Sequence, residues 1–265
     1  MTDLASSYDT QPQRMGFFTD TSVCIGCKAC EVACKEWNGV PEDGIAWLGS
    51  SYDHTGALGA DTWRHVAFIE QARQEESGVR WLMSSDVCKH CTSAACLEVC
   101  PTGALFRTEF STVVVQQDVC NGCGYCVTAC PFGVIDKRES DGRVWKCTLC
   151  YDRLKAGMEP ACAQACPTNS IQFGVLDELR ERAAARVARL EAVGVGSPRL
   201  YGEGPDDGVG GFGAFFLLLD EPEVYGLPPD PVSPTRELPA MWKAAGRAAV
   251  ALGVAVALSF RGSRR

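Results

Sequence analysis

The sequence predicts an α+β protein made of two small modules, each organised around two groups of cysteines, with loop-rich insertions and an apolar C-terminal helix. Three observations predict this class. The 16 cysteines fall into four groups of four, three of the groups end in Cys-Pro followed by an apolar stretch, and a single apolar segment closes the chain. The recurrence of cysteine group and apolar stretch indicates an internal repeat of one small unit.

The third cysteine group indicates the chemistry of that unit. It reads Cys120-Asn-Gly-Cys123-Gly-Tyr-Cys126-Val-Thr-Ala-Cys130-Pro131, the C-x2-C-x2-C-x3-C-P run that holds [4Fe-4S] clusters in ferredoxins. In two-cluster ferredoxins the fourth cysteine of such a run ligates the neighbouring cluster. We therefore expect ferredoxin-like modules in which Cys130 serves a different cluster from the other three cysteines of its run.

The other groups complete the predicted set of ligands. No cysteine is left over, and the groups are Cys24, Cys27, Cys30 and Cys34; Cys88, Cys91, Cys96 and Cys100; Cys120, Cys123, Cys126 and Cys130; and Cys147, Cys150, Cys162 and Cys166. Each [4Fe-4S] cluster takes four thiolates. The sequence therefore predicts two clusters in each module and four in the chain, with all 16 cysteines as iron ligands.

Two other uses of cysteine fit the pattern less well. A disulfide framework suits short chains that lack a core, whereas this chain has 265 residues, 46% of them hydrophobic, which is enough to bury a core without cross-links. Structural zinc also uses C-x2-C pairs, but it takes two pairs for each ion and has no use for a third cysteine in the same run. A zinc-stabilised scaffold protein is the alternative from a different functional class.

The balance of charge limits the possible partners. The net charge is -8, from 25 Lys+Arg and 33 Asp+Glu, and no basic stripe is present, which argues against nucleic acid as a partner. Four lysines stand inside or beside the cysteine runs, namely Lys28, Lys35, Lys89 and Lys146. A cation beside a cluster favours extra electron density on the metal and so raises its reduction potential. A solvent-exposed charge is the simpler interpretation of each lysine.

The first cysteine group resembles a known family. Its run, Cys24-Ile-Gly-Cys27-Lys-Ala-Cys30-Glu-Val-Ala-Cys34-Lys-Glu-Trp37-Asn38, is similar to the first cluster motif of the iron-sulfur β subunit of membrane-bound respiratory formate dehydrogenases, in the dimethyl sulfoxide reductase superfamily. The spacing before Cys96 and the long loop before Cys162 resemble the same family. In the nitrate reductase branch of the superfamily a tryptophan replaces the cysteine that corresponds to Cys123, and the cluster there has three irons. The cysteine at this position in the present sequence therefore implies that all the clusters have four irons.

This resemblance implies a function. In the family, a catalytic α subunit with a molybdopterin or tungstopterin oxidises formate, a membrane cytochrome b (γ) subunit reduces quinone, and the β subunit relays electrons between them. The sequence contains no nucleophile-base pair or pterin motif of its own, so we expect a non-catalytic electron-transfer subunit. A β subunit of another molybdoenzyme or of a hydrogenase, and a free-standing polyferredoxin, are the alternatives within this class.

The resemblance, together with the crossing of the fourth cysteine, also implies a nested pairing of ligands. Groups one and four pair, as do groups two and three. The implied sets are Cys24, Cys27, Cys30 and Cys166, nearest the catalytic subunit; Cys34, Cys147, Cys150 and Cys162; Cys88, Cys91, Cys96 and Cys130; and Cys100, Cys120, Cys123 and Cys126, nearest the membrane haem.

The predicted domain order follows from this pairing. Residues 63–70 and 79–83 have the alternation of strands, and residues 177–192 have apolar positions at helical spacing. The predicted segments are a flexible N-terminus at 1–15, a first ferredoxin-like module split between 16–39 and 144–176, an insertion with short strands at 40–83, a second module at 84–143, a helix and extended partner-contacting region at 177–239, a transmembrane helix at 240–260 and a basic tail at 261–265.

The C-terminal segment is the predicted membrane anchor. A span needs about 20 residues, and residues 240–260 suffice if Lys243 and Arg247 reach the interface or face a partner helix. A buried or amphipathic helix is the alternative. The positive-inside rule would place the arginines of the tail in the cytoplasm. Together with the resemblance, this predicts a protein of the cell membrane whose cluster modules face the extracytoplasmic side.

Overall fold

The computed structural model describes residues 13–44, 47–49, 52–72 and 78–262. Most of the predicted flexible N-terminus, 1–12, and the last three residues of the predicted basic tail, 263–265, lie outside this range. The strands are β1 Met15–Asp20, β2 Arg64–Ala72, β3 Val79–Val87, β4 Leu105–Arg107, β5 Val113–Val115, β6 Asp136–Lys137, β7 Val144–Trp145, β8 Ile171–Val175, β9 Arg199–Tyr201 and β10 Ala214–Leu218. The helices are α1 Ala29–Asn38, α2 Ala95–Glu98, α3 Tyr125–Ala129, α4 Tyr151–Lys155, α5 Ala161–Gln164, α6 Leu176–Ala192 and α7 Leu238–Gly262.

A four-stranded sheet in the order β8-β1-β10-β9 forms the main core. Strand β1 runs antiparallel to β8 and parallel to β10. Strand β10 is buried along its whole length, which explains its continuous apolar sequence, because a strand covered on both faces has no solvent side. The rings of Phe18 and Phe215 stack with their centroids 5.2 Å apart. This sheet therefore joins the segment before the first cysteine group to three segments that follow the last one.

The sheet changes the interpretation of the region predicted as extended and partner-contacting. That prediction, for residues 177–239, did not include strands β9 and β10, yet both belong to the main sheet. The predicted helix over 177–192 is present as α6, and it buries Leu179, Ala183 and Leu190 at helical spacing against this core. The described part of the protein thus uses this helix to cover its own sheet.

The insertion forms an antiparallel hairpin of β2 and β3, as the alternation predicted. The two strands pair over their whole length, from Arg64 opposite Val87 to Ala72 opposite Val79. The hairpin packs against the first cysteine loop so closely that a Cβ at Gly26 would lie 2.6 Å from the ring of Phe68. The insertion is therefore part of the wall around the first cysteine group.

The second module is built from short elements around cysteine groups two and three. The hairpins β4–β5 and β6–β7 supply the apolar side chains Leu105, Val113 and Val144, which pack with Ile135 against the cysteines. With so few long elements, the described residues form a mixed α/β structure of small cysteine-centred units. This agrees with the predicted α+β class at that level of detail.

Helix α7 stands apart from the rest of the structure. Its segment Leu238–Arg261 is long and apolar enough to cross a membrane, and none of it is buried against the other described residues. The alternative of a core helix requires burial that this helix does not have. The predicted helix at 240–260 is therefore present, and a membrane-spanning role is compatible with it.

Candidate metal centres

The four Cys-x-x-Cys segments share one backbone feature. In each segment the residue just before the second cysteine has a positive φ, and these residues are Gly26 (65°), His90 (45°), Gly122 (69°) and Leu149 (57°). Glycine adopts this conformation without strain, whereas other residues must be held in it by their surroundings. The recurrence shows that the cysteine repeat in the sequence is also a repeat of backbone geometry.

The three Cys-Pro segments share a second feature. Three residues after the last cysteine, the backbone again adopts positive φ, at Gly103 (69°), Gly133 (62°) and Asn169 (53°). Glycine and asparagine are the residues that tolerate this conformation best. Each Cys-Pro closure therefore turns the backbone towards the strand that follows it.

Quartet 1 brings together the first three cysteines of group one and the last cysteine of group four. Cys24, Cys27, Cys30 and Cys166 line one cavity, together with Val66, Ser85 and Ile171. Cys27 is exposed, whereas Cys30 is buried. The cavity therefore lies near the protein surface on one side.

Quartet 2 lies deeper. It consists of Cys34, Cys147, Cys150 and Cys162, which line a cavity with Phe17 and Trp63, and all four cysteines are buried. The side-chain amide of Asn38 donates to Cys34 Sγ at 3.8 Å and to Cys150 Sγ at 3.7 Å. The backbone N–H of Leu149 donates to Cys147 Sγ at 3.3 Å. Hydrogen bonds of this kind stabilise sulfur in its anionic form.

Quartet 3 forms the corresponding cavity of the second module. Cys88, Cys91, Cys96 and Cys130 line it, with Val113, Phe132, Ile135 and Lys146 completing the wall. Burial raises the pKa of the Cys96 thiol to about 12, with Cys88 and Cys130 also raising it and Lys146 opposing the shift. The quartet combines three cysteines of group two with the last cysteine of group three.

Quartet 4 consists of Cys100, Cys120, Cys123 and Cys126. Burial raises the pKa of Cys126, and the other three cysteines contribute to the rise, which brings it to about 11. The four side chains are therefore within electrostatic reach of one another. Cys123 is exposed. The hydroxyl of Thr102 lies 3.6 Å from Cys100 Sγ, and the hydroxyl of Thr168 lies 3.8 Å from Cys166 Sγ in quartet 1. The repeated Cys-Pro-Thr sequence was the signal for these hydroxyls.

The quartets form a row. Burial raises the pKa values of Cys30, Cys147 and Cys96, and in each case a cysteine of the next quartet also raises the value: Cys162 for Cys30, Cys88 for Cys147 and Cys126 for Cys96. The geometry agrees with these shifts. Cys30 of quartet 1 and Cys34 of quartet 2 lie one turn apart on α1, and Cys126 of quartet 4 lies on α3, which Cys130 of quartet 3 follows directly. Between quartets 2 and 3, Lys146 lines the quartet 3 cavity and donates to the backbone oxygen of Cys147. The order is therefore quartet 1, 2, 3, 4, and an exposed cysteine stands in each terminal quartet.

The donor sets suit an iron-sulfur cluster. All sixteen cysteines are free thiols, and soft thiolates are the ligands that these clusters take. Structural zinc normally takes two Cys-x-x-Cys pairs, whereas each of the three cavities is lined by three cysteines of one group and the last cysteine of another. Burial raises the pKa of Cys147 to about 12, so a bound metal must displace the protons of such thiols. The sites fit clusters better than the zinc alternative.

Two of the four lysines beside the cysteine runs do not fit the solvent-exposed interpretation. Lys89 and Lys146 are 0% and 2% exposed. Lys89 forms an ion pair with Asp86 and lies 5.0 Å from the centroid of the Phe216 ring. The other two, Lys28 and Lys35, are partly exposed and form ion pairs with carboxylates.

A third buried cation, Arg64, was missed by the sequence analysis. It is 1% exposed, and its guanidinium donates from Nη2 to Cys162 Sγ at 3.4 Å. Burial lowers its pKa, but the thiolates of Cys162 and its neighbours raise it more, so the pKa ends above its ordinary value. An arginine at the start of a strand, between the apolar Trp63 and Val66, was the available signal.

Comparison with family models supports the assignment of cofactor. Two models, each described as a 4Fe-4S dicluster domain, match residues 23–104 and 79–176. Every cysteine of the protein lies within one or both of these ranges. The protein therefore contains [4Fe-4S] dicluster domains.

Comparison with curated proteins extends the similarity along most of the chain. The protein is 41% identical over 238 residues to the nitrate-inducible formate dehydrogenase iron-sulfur subunit of Escherichia coli (strain K12), and the match covers 88% of this chain and 78% of the relative. It is 43% identical over 216 residues to the formate dehydrogenase iron-sulfur subunit of Haemophilus influenzae, covering 80% and 68%. The B subunit of the anaerobic dimethyl sulfoxide reductase of Escherichia coli (strain K12) is 40% identical over 174 residues, which is 63% of this chain and 76% of the relative.

Proposed function

Because this protein belongs to the family of formate dehydrogenase iron-sulfur subunits, we propose that it relays electrons from a molybdopterin or tungstopterin catalytic subunit that oxidises formate to a membrane cytochrome b that reduces quinone. Its own role is electron transfer through [4Fe-4S] centres. The observation that carries the proposal is the row of four cysteine quartets, which runs through the protein between two exposed cysteines. Such a row is what a relay between two partners needs.

We assign one [4Fe-4S] cluster to each quartet, four in all. Three observations support the assignment. Each quartet supplies four thiols, and three of the quartets line cavities. The last cysteine of each group lies in the quartet that is otherwise formed by the paired group. When bound, each cluster would accept and release one electron. The residues of the protein hold these groups apart in a fixed order and exclude water from quartet 2, whose four cysteines are all buried.

The two ends of the row are the proposed points of partner contact. At quartet 1, the exposed Cys27 is accompanied by Ile25 and Val32, which are also exposed. At quartet 4, Cys123 is accompanied by the exposed Tyr125. Exposed apolar side chains grouped at a functional edge are typical of interaction surfaces. Quartet 1 would face the catalytic subunit and quartet 4 the cytochrome.

Helix α7 is the proposed link to the membrane. It is apolar and wholly unburied, and a bilayer or a membrane partner would supply the contacts that the other described residues do not. The family resemblance and the basic residues at the end of the sequence favour the extracytoplasmic side for the cluster modules. In this arrangement α7 would hold the protein at the membrane, and quartet 4 would lie close to the haem of the cytochrome.

A β subunit of another molybdoenzyme is the second candidate. The match to the B subunit of anaerobic dimethyl sulfoxide reductase favours it. That match covers 63% of the chain, whereas the match to the formate dehydrogenase subunit covers 88%. The longer match favours the formate dehydrogenase complex.

The test is to isolate the complex that contains this protein. A tagged form would be purified anaerobically from membranes of its own organism, and its partners identified by mass spectrometry. Addition of formate should produce the paramagnetic signals of reduced clusters, and addition of a quinone should remove them. Reoxidation by dimethyl sulfoxide, with no response to formate, would instead assign the protein to the second candidate.

A further inference from the structure

Arg64 and Lys146 are buried cations without a carboxylate partner. Both are at most 2% exposed, and within the described residues neither takes part in an ion pair with Asp or Glu. Burying a charge without an opposite charge is strongly unfavourable. Lys89, by contrast, is buried beside Asp86. Negative charge from another source must therefore compensate Arg64 and Lys146.

Arg64 lies between quartets 1 and 2. Its Nη2 donates to Cys162 Sγ of quartet 2 at 3.4 Å, and its Nη1 donates to the hydroxyl of Ser85 at 3.2 Å. The same hydroxyl lies 3.2 Å from Cys30 Sγ of quartet 1. A continuous hydrogen-bonded path thus joins a cysteine of one quartet to a cysteine of the next through the guanidinium.

Lys146 lies in the same way between quartets 2 and 3. It lines the quartet 3 cavity, and its Nζ donates to the backbone oxygen of Cys147, a quartet 2 residue, at 2.9 Å. A second bond to the backbone oxygen of Val113 holds the ammonium in place. The first two steps of the row therefore each contain one buried cation without an Asp or Glu partner.

We propose that Arg64 and Lys146 are fixed positive charges that raise the reduction potentials of the clusters on either side of them. Reduction adds one electron, and so one negative charge, to a set of thiolates, and a nearby cation in a medium of low dielectric constant favours that added charge. Arg64 acts on the clusters of quartets 1 and 2, and Lys146 on those of quartets 2 and 3. The inference rests on the proposed function, because it requires clusters in these quartets.

The pattern of overlap gives the inference its test. The cluster-loaded protein would be titrated with dithionite as electron donor, and each paramagnetic signal followed against potential. Arg64→Gln should lower the midpoint potentials of the clusters in quartets 1 and 2, and Lys146→Gln those of the clusters in quartets 2 and 3. One signal, from quartet 2, should therefore respond to both variants, and one, from quartet 4, to neither. We expect each reduction equilibrium constant to fall about tenfold, which is about 59 mV for one electron.

Matched variants separate charge from packing. Arg138→Gln removes an arginine that is also largely buried but is paired with Asp61 and lines none of the three cavities, so all four potentials should stay unchanged. Arg64→Lys and Lys146→Arg keep the charge and should keep the potentials near their original values. A tenfold fall in these charge-conserving variants would overturn the inference.

Two measurements keep the inference distinct from the proposed function. Iron and sulfide are assayed in every variant, so a lost cluster is not mistaken for a lowered potential. Unchanged potentials in fully loaded Arg64→Gln and Lys146→Gln would overturn the inference and leave the relay intact. A wild-type protein without four clusters would overturn the assignment of the quartets itself.

Discussion

The indole Nε1 of Trp37 donates a hydrogen bond to Oδ2 of Asp152 across 2.9 Å. This bond joins α1, which carries two cysteines of group one, to α4, which follows a cysteine of group four. The guanidinium of Arg153 lies 4.2 Å from the centroid of the same indole ring. The two groups are far apart in the sequence, and these contacts hold them together around quartets 1 and 2.

The first prediction concerns the crossing of ligands. Cys30 and Cys34 are one turn apart on α1 but line different cavities, so Cys30→Ser and Cys34→Ser should disturb different paramagnetic signals. Cys126→Ser and Cys130→Ser should behave in the same way in the second module. Loss of one and the same signal in both members of a pair would show that the crossing is absent.

The second prediction concerns metal content. Four clusters of four irons require about 16 irons per chain and a similar amount of sulfide. Anaerobically purified protein should contain these amounts and should be brown with broad absorption near about 400 nm, the range of thiolate-to-iron charge transfer. Removal of iron by a chelator should abolish the colour. Substantial zinc with little iron would contradict the assignment.

The third prediction uses two neighbouring glycines. Both Gly122 and Gly124 have positive φ, but a Cβ at Gly122 would lie 2.1 Å from the backbone oxygen of Gly142, whereas nothing lies within 4 Å of one at Gly124. Gly124→Ala should therefore cost only the backbone strain, about 1–2 kcal/mol. Gly122→Ala should cost more, and it should lower the iron content of quartet 4.

The measurement for this pair is iron per chain together with anaerobic urea unfolding followed by circular dichroism. Gly124→Ala is the control, since it changes the same run without the close contact. Equal behaviour of the two variants would mean that the contact with Gly142 does not constrain the loop.

The fourth prediction concerns strand β10. Phe216 is fully buried in the main sheet, and truncation of such a phenylalanine typically costs about 3–5 kcal/mol. Phe216→Ala should lower the urea midpoint of the loaded protein clearly. Val193→Ala, at a residue that is mostly exposed, should leave it nearly unchanged. A negligible effect of Phe216→Ala would mean that residues 199–218 are not an integral part of the core.

The fifth prediction concerns helix α7. Removal of residues 241–265 should leave the clusters and formate-dependent dye reduction intact, because this helix makes no buried contact with the other described residues. Coupling to quinone and retention in the membrane should both weaken. Full quinone reduction by a truncated, membrane-bound complex would exclude an anchoring role.

The side of the membrane is tested separately. If the cluster modules face outward, protease added to intact spheroplasts should cleave them, while an internal cytoplasmic protein stays intact. Protection of the modules until the membrane is broken would place them on the cytoplasmic side instead.

The sequence by itself determined the chemistry of the metal centres. The spacing within a run such as residues 120–131 is local, and local spacing is enough to specify which residues can surround one corner of a cluster. The β2–β3 hairpin, helix α6 and helix α7 were predictable for the same reason, because the spacing of apolar residues that indicates each element is visible within one short segment of sequence. The family followed from the same runs.

The tertiary structure decided which charges are buried and which segments complete the core. Strand β10 lies beside β1 although about 200 residues separate their partners Phe18 and Phe215. Arg64 reaches Cys162, 98 residues away, and Lys146 is enclosed by segments from different parts of the sequence. Burial of a charge depends on contacts between distant segments and on the cost of removing it from water, and neither quantity is encoded in the spacing of a local motif.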